Sequence, residues 1–347
     1  MATTAAIPGT EIMTPRQLAD YLRALVKADI YSAAMIWGPP GIGKSAIVAA
    51  VAAERGLDCT DVRLSQLAPT DLRGLPVADG EVANWLPPGF LPREGRGVLF
   101  LDEINMAAPA MQGMAQQLIL DRKVGSYVVP AGWHIWAAGN RKEDRAAVSD
   151  MPMPLANRFL HLHVGPELDS FREYGARKGI SEQILAFVSA RTNMLHMPLA
   201  NSPAWPSPRS WELASRLLVA GLAIAPAVGQ GAAVEFATYI EVFGKLPDVA
   251  AILAGKGEGI PFPTDPDVRW ATVTALSSRA AKDPKLGLAA VRWAEARGQK
   301  EWLNRLIGDL CAAYAGAPAL RKEWVRMASL EQAIWQWLRI NAQYNIT

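Results

Sequence analysis

The chain has 347 residues, of which 50% are hydrophobic and 20% are charged. This composition is typical of a soluble globular protein with one large domain or two ordinary ones. Its 35 Lys and Arg residues nearly balance its 33 Asp and Glu residues, which argues against a protein whose main task is to neutralise a nucleic-acid backbone. Cys59 and Cys311 lie far apart and outside any metal-ligand spacing, which favours two reduced thiols in a cytoplasmic protein.

One apolar segment is long enough to be compared with a membrane span. Residues 217–234 are apolar except for Gln230, but they contain three glycines and Pro226 and are richer in alanine than in leucine. A span needs about 20 strongly apolar residues, and residues 1–10 lack the pattern of a secretory signal. We therefore predict packed helices broken near Pro226 and no membrane association.

The first half of the sequence alternates short apolar runs with amphipathic stretches, the pattern of a parallel sheet covered by helices. Thr14 and Pro15 predict the start of a helix that runs to about Lys27. An alanine-rich helix is predicted over residues 45–55. Strands are predicted over residues 33–37, 61–64, 98–102, 134–138 and 160–164. Together these elements predict an α/β fold with a doubly wound, five-stranded parallel sheet.

Two hairpins interrupt this alternation. Asp79 and Gly80 form a strong two-residue turn signal, which predicts a hairpin within residues 75–97. A second hairpin is predicted within residues 122–133, directly before the fourth strand. Both are therefore interpreted as inserts in the α/β core.

Strand patterns end at about Pro203, and helical patterns rich in Trp, Ala and Leu follow. We predict an α/β nucleotide-binding core over residues 1–200. Residues 201–347 are predicted to form an all-helical lid and a C-terminal helical extension.

A glycine-rich loop joins the strand predicted over residues 33–37 to the alanine-rich helix predicted over residues 45–55. It has Walker A spacing and consists of Gly38, Pro39, Pro40, Gly41, Ile42, Gly43, Lys44 and Ser45. The glycines let backbone N–H groups converge on phosphate oxygens, and the helix directs its positive end at the anion. Lys44 is suited to the β- and γ-phosphates, and the Ser45 hydroxyl to Mg²⁺. The sequence therefore predicts a phosphate-binding loop for ATP and Mg²⁺.

Polar side chains follow two of the apolar strands. Asp102 and Glu103 end the run over residues 98–101, and such a run suits a strand buried on both faces. Both carboxylates emerge at the edge where α/β sheets bind ligands. At that edge Asp102 is suited to hold Mg²⁺, and Glu103 is suited to deprotonate the attacking water. Asn140 ends the next apolar strand and is suited to hydrogen-bond that water or the γ-phosphate.

Two arginines complete the candidate site. Arg158 lies just before the last strand, a location at the subunit edge of ring-forming ATPases, where an arginine reaches a neighbour's γ-phosphate. Arg209 follows Pro208 at the predicted start of the first lid helix. There it is expected to contact the nucleotide of its own subunit.

The Walker A loop, the Asp102-Glu103 pair, Asn140, Arg158 and Arg209 occur in an order that resembles an AAA+ ATPase. In that resemblance Asn140 is the first sensor, Arg158 the arginine finger and Arg209 the second sensor. The two hairpins are similar to the inserts of the MoxR-like branch of the helix-2-insert group. The resemblance covers about residues 14–265, and the helical tail extends beyond it.

The resemblance to MoxR-like ATPases implies a homo-oligomeric ring, usually a hexamer. Such a ring couples ATP hydrolysis to the remodelling or activation of a client protein, in the manner of a chaperone, and commonly works with a von Willebrand factor A domain protein. The first hairpin and residues 85–90 are then expected to grip the client. The alternative is that this hairpin only packs on its neighbour.

Two other functions stay open. A nucleic-acid motor or restriction-type NTPase of the same group needs a basic stripe on its inserts, whereas Arg73, Arg93 and Arg96 lie among acidic residues. A small-molecule kinase uses the same phosphate loop, but Arg209 and the long helical half fit it poorly. The sequence does not decide between ATP and GTP, and it does not identify the client.

Overall fold

The computed structural model describes residues 12–141, 156–199, 202–315, 317–328 and 331–340. The chain divides into two compact units, Met1–Pro166 and Glu167–Thr347. The boundary at residue 200 expected from the sequence falls later than this division. The difference arises because the two helices within residues 167–190 bury Phe171, Ile184 and Phe187 in one core with Trp211 of the helical unit.

The strands of the first unit are numbered here in chain order. They are β1 (Ile12–Met13), β2 (Ala34–Trp37), β3 (Asp58–Arg63), β4 (Leu75–Asp79), β5 (Val82–Leu86), β6 (Gly97–Asp102), β7 (Lys123–Val124), β8 (Tyr127–Val128), β9 (Trp133–Gly139) and β10 (Leu160–Val164). Six of them form a parallel sheet in the order β1-β10-β2-β9-β6-β3. The predicted parallel sheet is confirmed, and the structure adds the edge strand β1 to the five strands expected.

Four α-helices belong to the described part of the first unit: α1 (Pro15–Lys27), α2 (Lys44–Glu54), α3 (Pro69–Arg73) and α4 (Pro109–Asp121). Helix α1 begins where it was predicted, because Thr14 and Gln17 form a capping box. The Thr14 Oγ1 accepts from the Gln17 N–H at 3.1 Å, and the Gln17 Oε1 accepts from the Thr14 N–H at 2.8 Å. Such a cap satisfies two backbone donors that a helix start otherwise leaves open.

The core lies on both faces of the sheet. Alternate residues of a strand point to opposite faces, so Val98 and Phe100 of β6 pack in one cluster with Leu22 of α1. Leu99 and Leu101 pack in the other cluster, which includes residues of α4. Burial on both faces explains why the sequence of β6 is a continuous apolar run.

Both predicted hairpins are present as antiparallel pairs. Strands β4 and β5 pair with Asp79 opposite Val82, and Gly80 occupies the turn with a φ of 62°. Strands β7 and β8 pair with Lys123 opposite Val128. The hairpins touch each other, because the Ser126 hydroxyl donates a hydrogen bond to the carbonyl oxygen of Trp85.

Within the described residues of the second unit, all regular elements are helices. Its α-helices are α5 (Leu168–Lys178), α6 (Glu182–Ala190), α7 (Pro208–Val219), α8 (Ala225–Val228), α9 (Gln230–Phe243), α10 (Val249–Leu253), α11 (Pro266–Ala280), α12 (Pro284–Glu295), α13 (Lys300–Ala315), α14 (Pro318–Ala328) and α15 (Gln332–Ile340). The apolar segment before Pro226 breaks between α7 and α8, as expected. Within the described residues, no helix has the length and apolar character that a membrane crossing requires.

Candidate functional site

The sheet places four chain segments side by side at one edge. Strands β2, β9, β6 and β3 are successive neighbours and run parallel, so their carboxyl ends meet. The Walker A loop follows β2, Asn140 follows β9, Asp102 ends β6, and Ser65 follows β3. In open α/β sheets, ligands bind at this edge.

The phosphate-binding loop depends on glycine at three positions. Gly41 and Gly43 have φ values of 81° and 93°, in the left-handed region that glycine adopts without a steric penalty. A Cβ on Gly38 would lie 2.6 Å from the carbonyl oxygen of Val164. Helix α2 begins at Lys44, immediately after Gly43, so its N-terminal end opens onto the loop.

Lys44 and Asn140 come together in this site. The Lys44 Nζ donates to the Asn140 Oδ1 at 3.0 Å and to the carbonyl oxygens of Gly38 and Pro39 at 2.7 and 3.1 Å. An ammonium group that donates to three oxygen acceptors can donate to the oxygens of a phosphate in the same way. The two residues stand 96 positions apart in the sequence, and the sheet brings them into contact.

Ser45 and Asp102 also meet. The Ser45 Oγ donates to the Asp102 Oδ2 at 2.8 Å, and the Asp102 Oδ1 accepts from the Glu103 N–H at 2.9 Å. A hydroxyl and a carboxylate in contact are the hard oxygen donors that Mg²⁺ prefers, with water and phosphate completing its coordination. These two side chains therefore fit the magnesium ion that the Walker motif implies.

Glu103 occupies a special backbone position. Its φ of 56° lies in the left-handed region, which is uncommon for a residue with a side chain. The Ser65 hydroxyl donates a hydrogen bond to its Oε2. Nearby, burial raises the pKa of Asp61, the charges of Asp102 and Glu103 raise that pKa further, and Arg63 lowers it. This edge of the sheet therefore concentrates negative charge.

Asn105 supports the end of β9. It is only 3% exposed, and its Nδ2 donates to the carbonyl oxygen of Asn140 at 2.7 Å. A Cβ on Gly139 would lie 2.4 Å from the Asn105 Oδ1, so the close approach requires glycine there. Asn105 and Ser65 were both missed by sequence reasoning, because each looks like an ordinary polar turn residue until its distant partner is known.

Trp37, the residue before the phosphate loop, joins that loop to the segment around Arg158. Its Nε1 donates to the His161 Nδ1 at 2.8 Å. The other ring nitrogen of His161 lies 2.7 Å from the carbonyl oxygen of Ala156. Arg158 is exposed in the turn before β10, and the residues 142–155 that precede this segment lie outside the described residues.

Arg209 is the second residue of α7, in the helical unit. The start of this helix is fixed by Ser207, whose Oγ accepts from the Ser210 N–H at 3.1 Å. The Arg209 side chain is exposed. Its predicted contact with the nucleotide, like the predicted role of Arg158 in a neighbouring subunit, stays a prediction.

Residues 34–122 match the family described as "ATPase family associated with various cellular activities (AAA)". The matched segment contains the Walker A loop, Asp102 and Glu103. This segment is therefore similar to AAA ATPase domains, and in this chain it forms part of a parallel sheet that is followed by helices. The family match supports nucleotide binding and an ATPase activity in general.

Among curated proteins, the chain is 29% identical over 142 residues to midasin of Giardia intestinalis. That match covers 38% of this chain and only 3% of midasin. Among solved structures, the Thermotoga maritima RuvB Holliday junction branch migration motor matches with 16% identity and a TM-score of 0.41, over 70% of this chain and 75% of that one. Brucella abortus NtrX in complex with ATP matches with 16% identity and a TM-score of 0.39, over 96% of this chain and 69% of the NtrX chain.

Proposed function

We propose that this chain is a cytoplasmic, MoxR-like AAA+ ATPase that assembles into a ring, usually of six subunits. The ring couples Mg²⁺-dependent ATP hydrolysis to the remodelling or activation of a client protein, together with a von Willebrand factor A domain partner. The observation that supports this proposal most is the array at the edge of the sheet, where Lys44 contacts Asn140 and Ser45 contacts Asp102.

The array supports one order of events in hydrolysis. Lys44 exchanges its present oxygen acceptors for oxygens of the β- and γ-phosphates. Ser45 and Asp102 would hold Mg²⁺, which would supply positive charge beside those phosphates. Water then attacks the γ-phosphorus as Glu103 takes its proton, and the bond to the β-phosphate oxygen breaks to release ADP. Asn140 orients the water. Ser65 donates to the Glu103 Oε2, and a carboxylate can take a proton on its second oxygen while that hydrogen bond stays in place.

The two arginines belong to the same proposal. Arg158 is exposed, as an arginine that serves a neighbouring subunit has to be. It is proposed to stabilise the negative charge that develops on the neighbour's γ-phosphate. Arg209, at the start of α7, is proposed to sense the nucleotide of its own subunit and to move with the helical lid.

The first hairpin offers the client a face on which apolar residues lie beside Asp79 and Asn84. Leu75, Val77, Val82 and Leu86 lie on one face of the β4-β5 pair and are 70%, 44%, 63% and 58% exposed. Exposed apolar side chains in such a group mark sites of interaction with other proteins. We define these four residues as the hairpin face and propose that the client binds there.

For Trp85 we propose a role different from the one expected. It lies on the opposite side of the hairpin and is half-buried. The guanidinium of Arg73 stacks 4.0 Å from the centre of its ring, and its carbonyl oxygen accepts from Ser126. These contacts support a role for Trp85 in anchoring the hairpin to its neighbours, and we propose that the hairpin face binds the client.

The charges near the hairpin favour a protein client over a nucleic acid. The turn exposes Asp79 and Glu81, which repel phosphate. The nearby arginines are engaged within the unit: Arg73 with Trp85, Arg93 with the carbonyl oxygen of Pro87 at 3.4 Å, and Arg96 with Asp29 at 3.3 Å.

Substitution of the hairpin face tests the client proposal. In a Glu103→Gln background, which holds ATP and its client, the double substitution Val82→Ser and Leu86→Ser is expected to lower client capture by about tenfold or more. The loss is expected because burying each apolar side chain contributes roughly 1.5–3 kcal/mol. Capture is measured by pull-down and quantitative mass spectrometry, which also reports whether a von Willebrand factor A domain protein is present.

Val219→Ser is the matched control, because Val219 is 81% exposed but lies in the helical unit. It is expected to leave capture unchanged. Full capture by the double variant, or equal loss with Val219→Ser, contradicts a client site on the hairpin face.

A further inference from the structure

A chain of hydrogen bonds links the end of β2 to the turn that carries Arg158. Strands β2 and β10 are parallel neighbours, with Trp37 opposite His163. Alternate residues of a strand share a face of the sheet, so His161 lies on the same face as His163 and Trp37. The register of the two strands therefore brings the indole of Trp37 and the imidazole of His161 together.

The hydrogen bonds of His161 define the state of its ring. The Trp37 Nε1–H can only donate, and it lies 2.8 Å from the His161 Nδ1, so Nδ1 is the acceptor. The proton of the neutral imidazole is then on Nε2, which donates to the carbonyl oxygen of Ala156 at 2.7 Å. The two rings are nearly parallel, with an angle of 8° between their planes. One tautomer therefore satisfies both partners, and His161 bridges them.

The bridge ends on the turn that presents Arg158. The Ala156 carbonyl oxygen also accepts from the Phe159 N–H, at 3.2 Å, and this hydrogen bond closes a β-turn over Asn157 and Arg158. Phe159 is only 7% exposed and packs in the core cluster that includes residues of α4. Arg158 therefore lies in a turn whose last residue is anchored in the core and whose first residue is held by His161.

The other end of the bridge is the phosphate loop. Trp37 is the last residue of β2, and Gly38 follows it. The Gly38 carbonyl oxygen accepts from the Lys44 Nζ at 2.7 Å. The Gly38 N–H donates to the carbonyl oxygen of Gly139 at 3.3 Å. The indole of Trp37 is therefore attached to backbone that contacts both the Walker lysine and the end of β9.

We propose that His161 and Trp37 are positioning residues for the arginine finger. They orient the turn of Arg158 from the subunit's own phosphate loop, so that the guanidinium reaches the γ-phosphate of the neighbouring subunit. Both act through the Ala156 carbonyl and not on the reacting atoms. This role rests on the proposed function of Arg158 in a shared site.

A subunit whose own loop is already inactive isolates the finger that it lends. In mixed rings, Lys44→Ala subunits are expected to restore phosphate release to Arg158→Ala subunits, because they bring an intact finger to an intact loop. In the double variant Lys44→Ala, His161→Phe, the second substitution removes both ring nitrogens and acts only through the lent finger. Its partners are expected to regain about 10- to 100-fold less phosphate release, since a misplacement of about 1 Å near a reacting group costs up to about 100-fold.

Trp37→Phe tests the other end of the bridge. It keeps an aromatic ring and removes the indole N–H that donates to His161. In the Lys44→Ala background it is expected to reduce the restored release as His161→Phe does. Trp335→Phe is the matched control, because Trp335 is 49% exposed and lies in the helical unit. It is expected to leave the restoration unchanged.

Two further measurements separate positioning from a structural defect. Light scattering verifies that every variant enters rings, and calorimetric titration measures ATP binding by the single variant His161→Phe. Since His161 is exposed and contacts the loop only through Trp37, its substitution is expected to leave the Kd for ATP unchanged while kcat falls.

Restoration by the His161→Phe or the Trp37→Phe double variant that equals restoration by Lys44→Ala overturns the positioning role. Weakened ATP binding by His161→Phe also overturns it, because the effect would then lie in the subunit's own loop. A different result, no restoration by Lys44→Ala itself, would contradict the shared site and with it the proposed function of Arg158.

Discussion

Glu103→Gln is expected to lower the rate of ATP hydrolysis by about 100- to 10,000-fold, the usual contribution of a general base, while ATP stays bound. Glutamine keeps the size of the side chain and an oxygen that accepts from Ser65, but it does not take a proton from water. The hydrogen bonds of Lys44 and of the Ser45–Asp102 pair do not involve the Glu103 side chain. Binding and hydrolysis should therefore separate in this variant.

Two measurements check the separation: calorimetric titration with ATP and steady-state phosphate release. Glu81→Gln, an exposed acid of the hairpin turn, is the matched control and is expected to hydrolyse ATP at the unsubstituted rate. Normal phosphate release by Glu103→Gln would show that another group is the base.

Arg158→Ala is expected to lower hydrolysis by roughly 1,000- to 100,000-fold, the range known for arginine fingers. The reason is that Arg158 is proposed to act on the nucleotide of the next subunit. The substitution is compatible with folding because the side chain is exposed. Arg55→Ala, which removes another exposed arginine of the same unit, serves as the control and is expected to retain activity.

A mixing experiment separates action between subunits from action within one. Arg158→Ala has an intact phosphate loop but no finger, whereas Lys44→Ala has a finger but a defective loop. Each variant alone is expected to be inactive. Mixed rings should regain part of the phosphate release, since a Lys44→Ala subunit can supply Arg158 to the intact loop of its neighbour. No recovery at any mixing ratio, in rings verified by light scattering, contradicts a shared site.

The central strands could be predicted because burial on both faces leaves a clear pattern. The apolar runs of β6 and β9 are buried from end to end apart from Asp102. A short apolar run of this kind is typical of a strand that is buried on both faces. Strand β1 was missed because Ile12–Met13 has only two residues, too few to show any period. It is a strand only because β10 offers it an edge.

The division between the units was harder to place. The amphipathic pattern of α5 predicts that this helix buries one face, and the apolar run of α6 is buried on all sides. Neither pattern says which core receives the helix. The buried cluster around Trp211 shows that both helices belong to the core of the helical unit. Local sequence thus determines the helix, and tertiary packing determines the unit to which it belongs.

The same distinction applies to the candidate site. The Walker A residues could be predicted because their spacing itself produces the loop, and Asp102 because it ends a buried strand. Ser65 contacts a residue 38 positions away, and Trp37 contacts His161 across 124 positions. Partners at such distances are joined by the order of strands in the sheet, which no local pattern contains.

The claim that this site hydrolyses ATP is tested most directly by steady-state phosphate release from Mg·ATP, with Mg·GTP measured in parallel. The unsubstituted chain is expected to release phosphate. Lys44→Ala is expected to lose nearly all of that release, because Lys44 is proposed to bind the β- and γ-phosphates. Lys27→Ala, at the end of α1, should release phosphate normally. Equal release by Lys44→Ala and the unsubstituted chain, or none from either nucleotide with the unsubstituted chain, would contradict the claim.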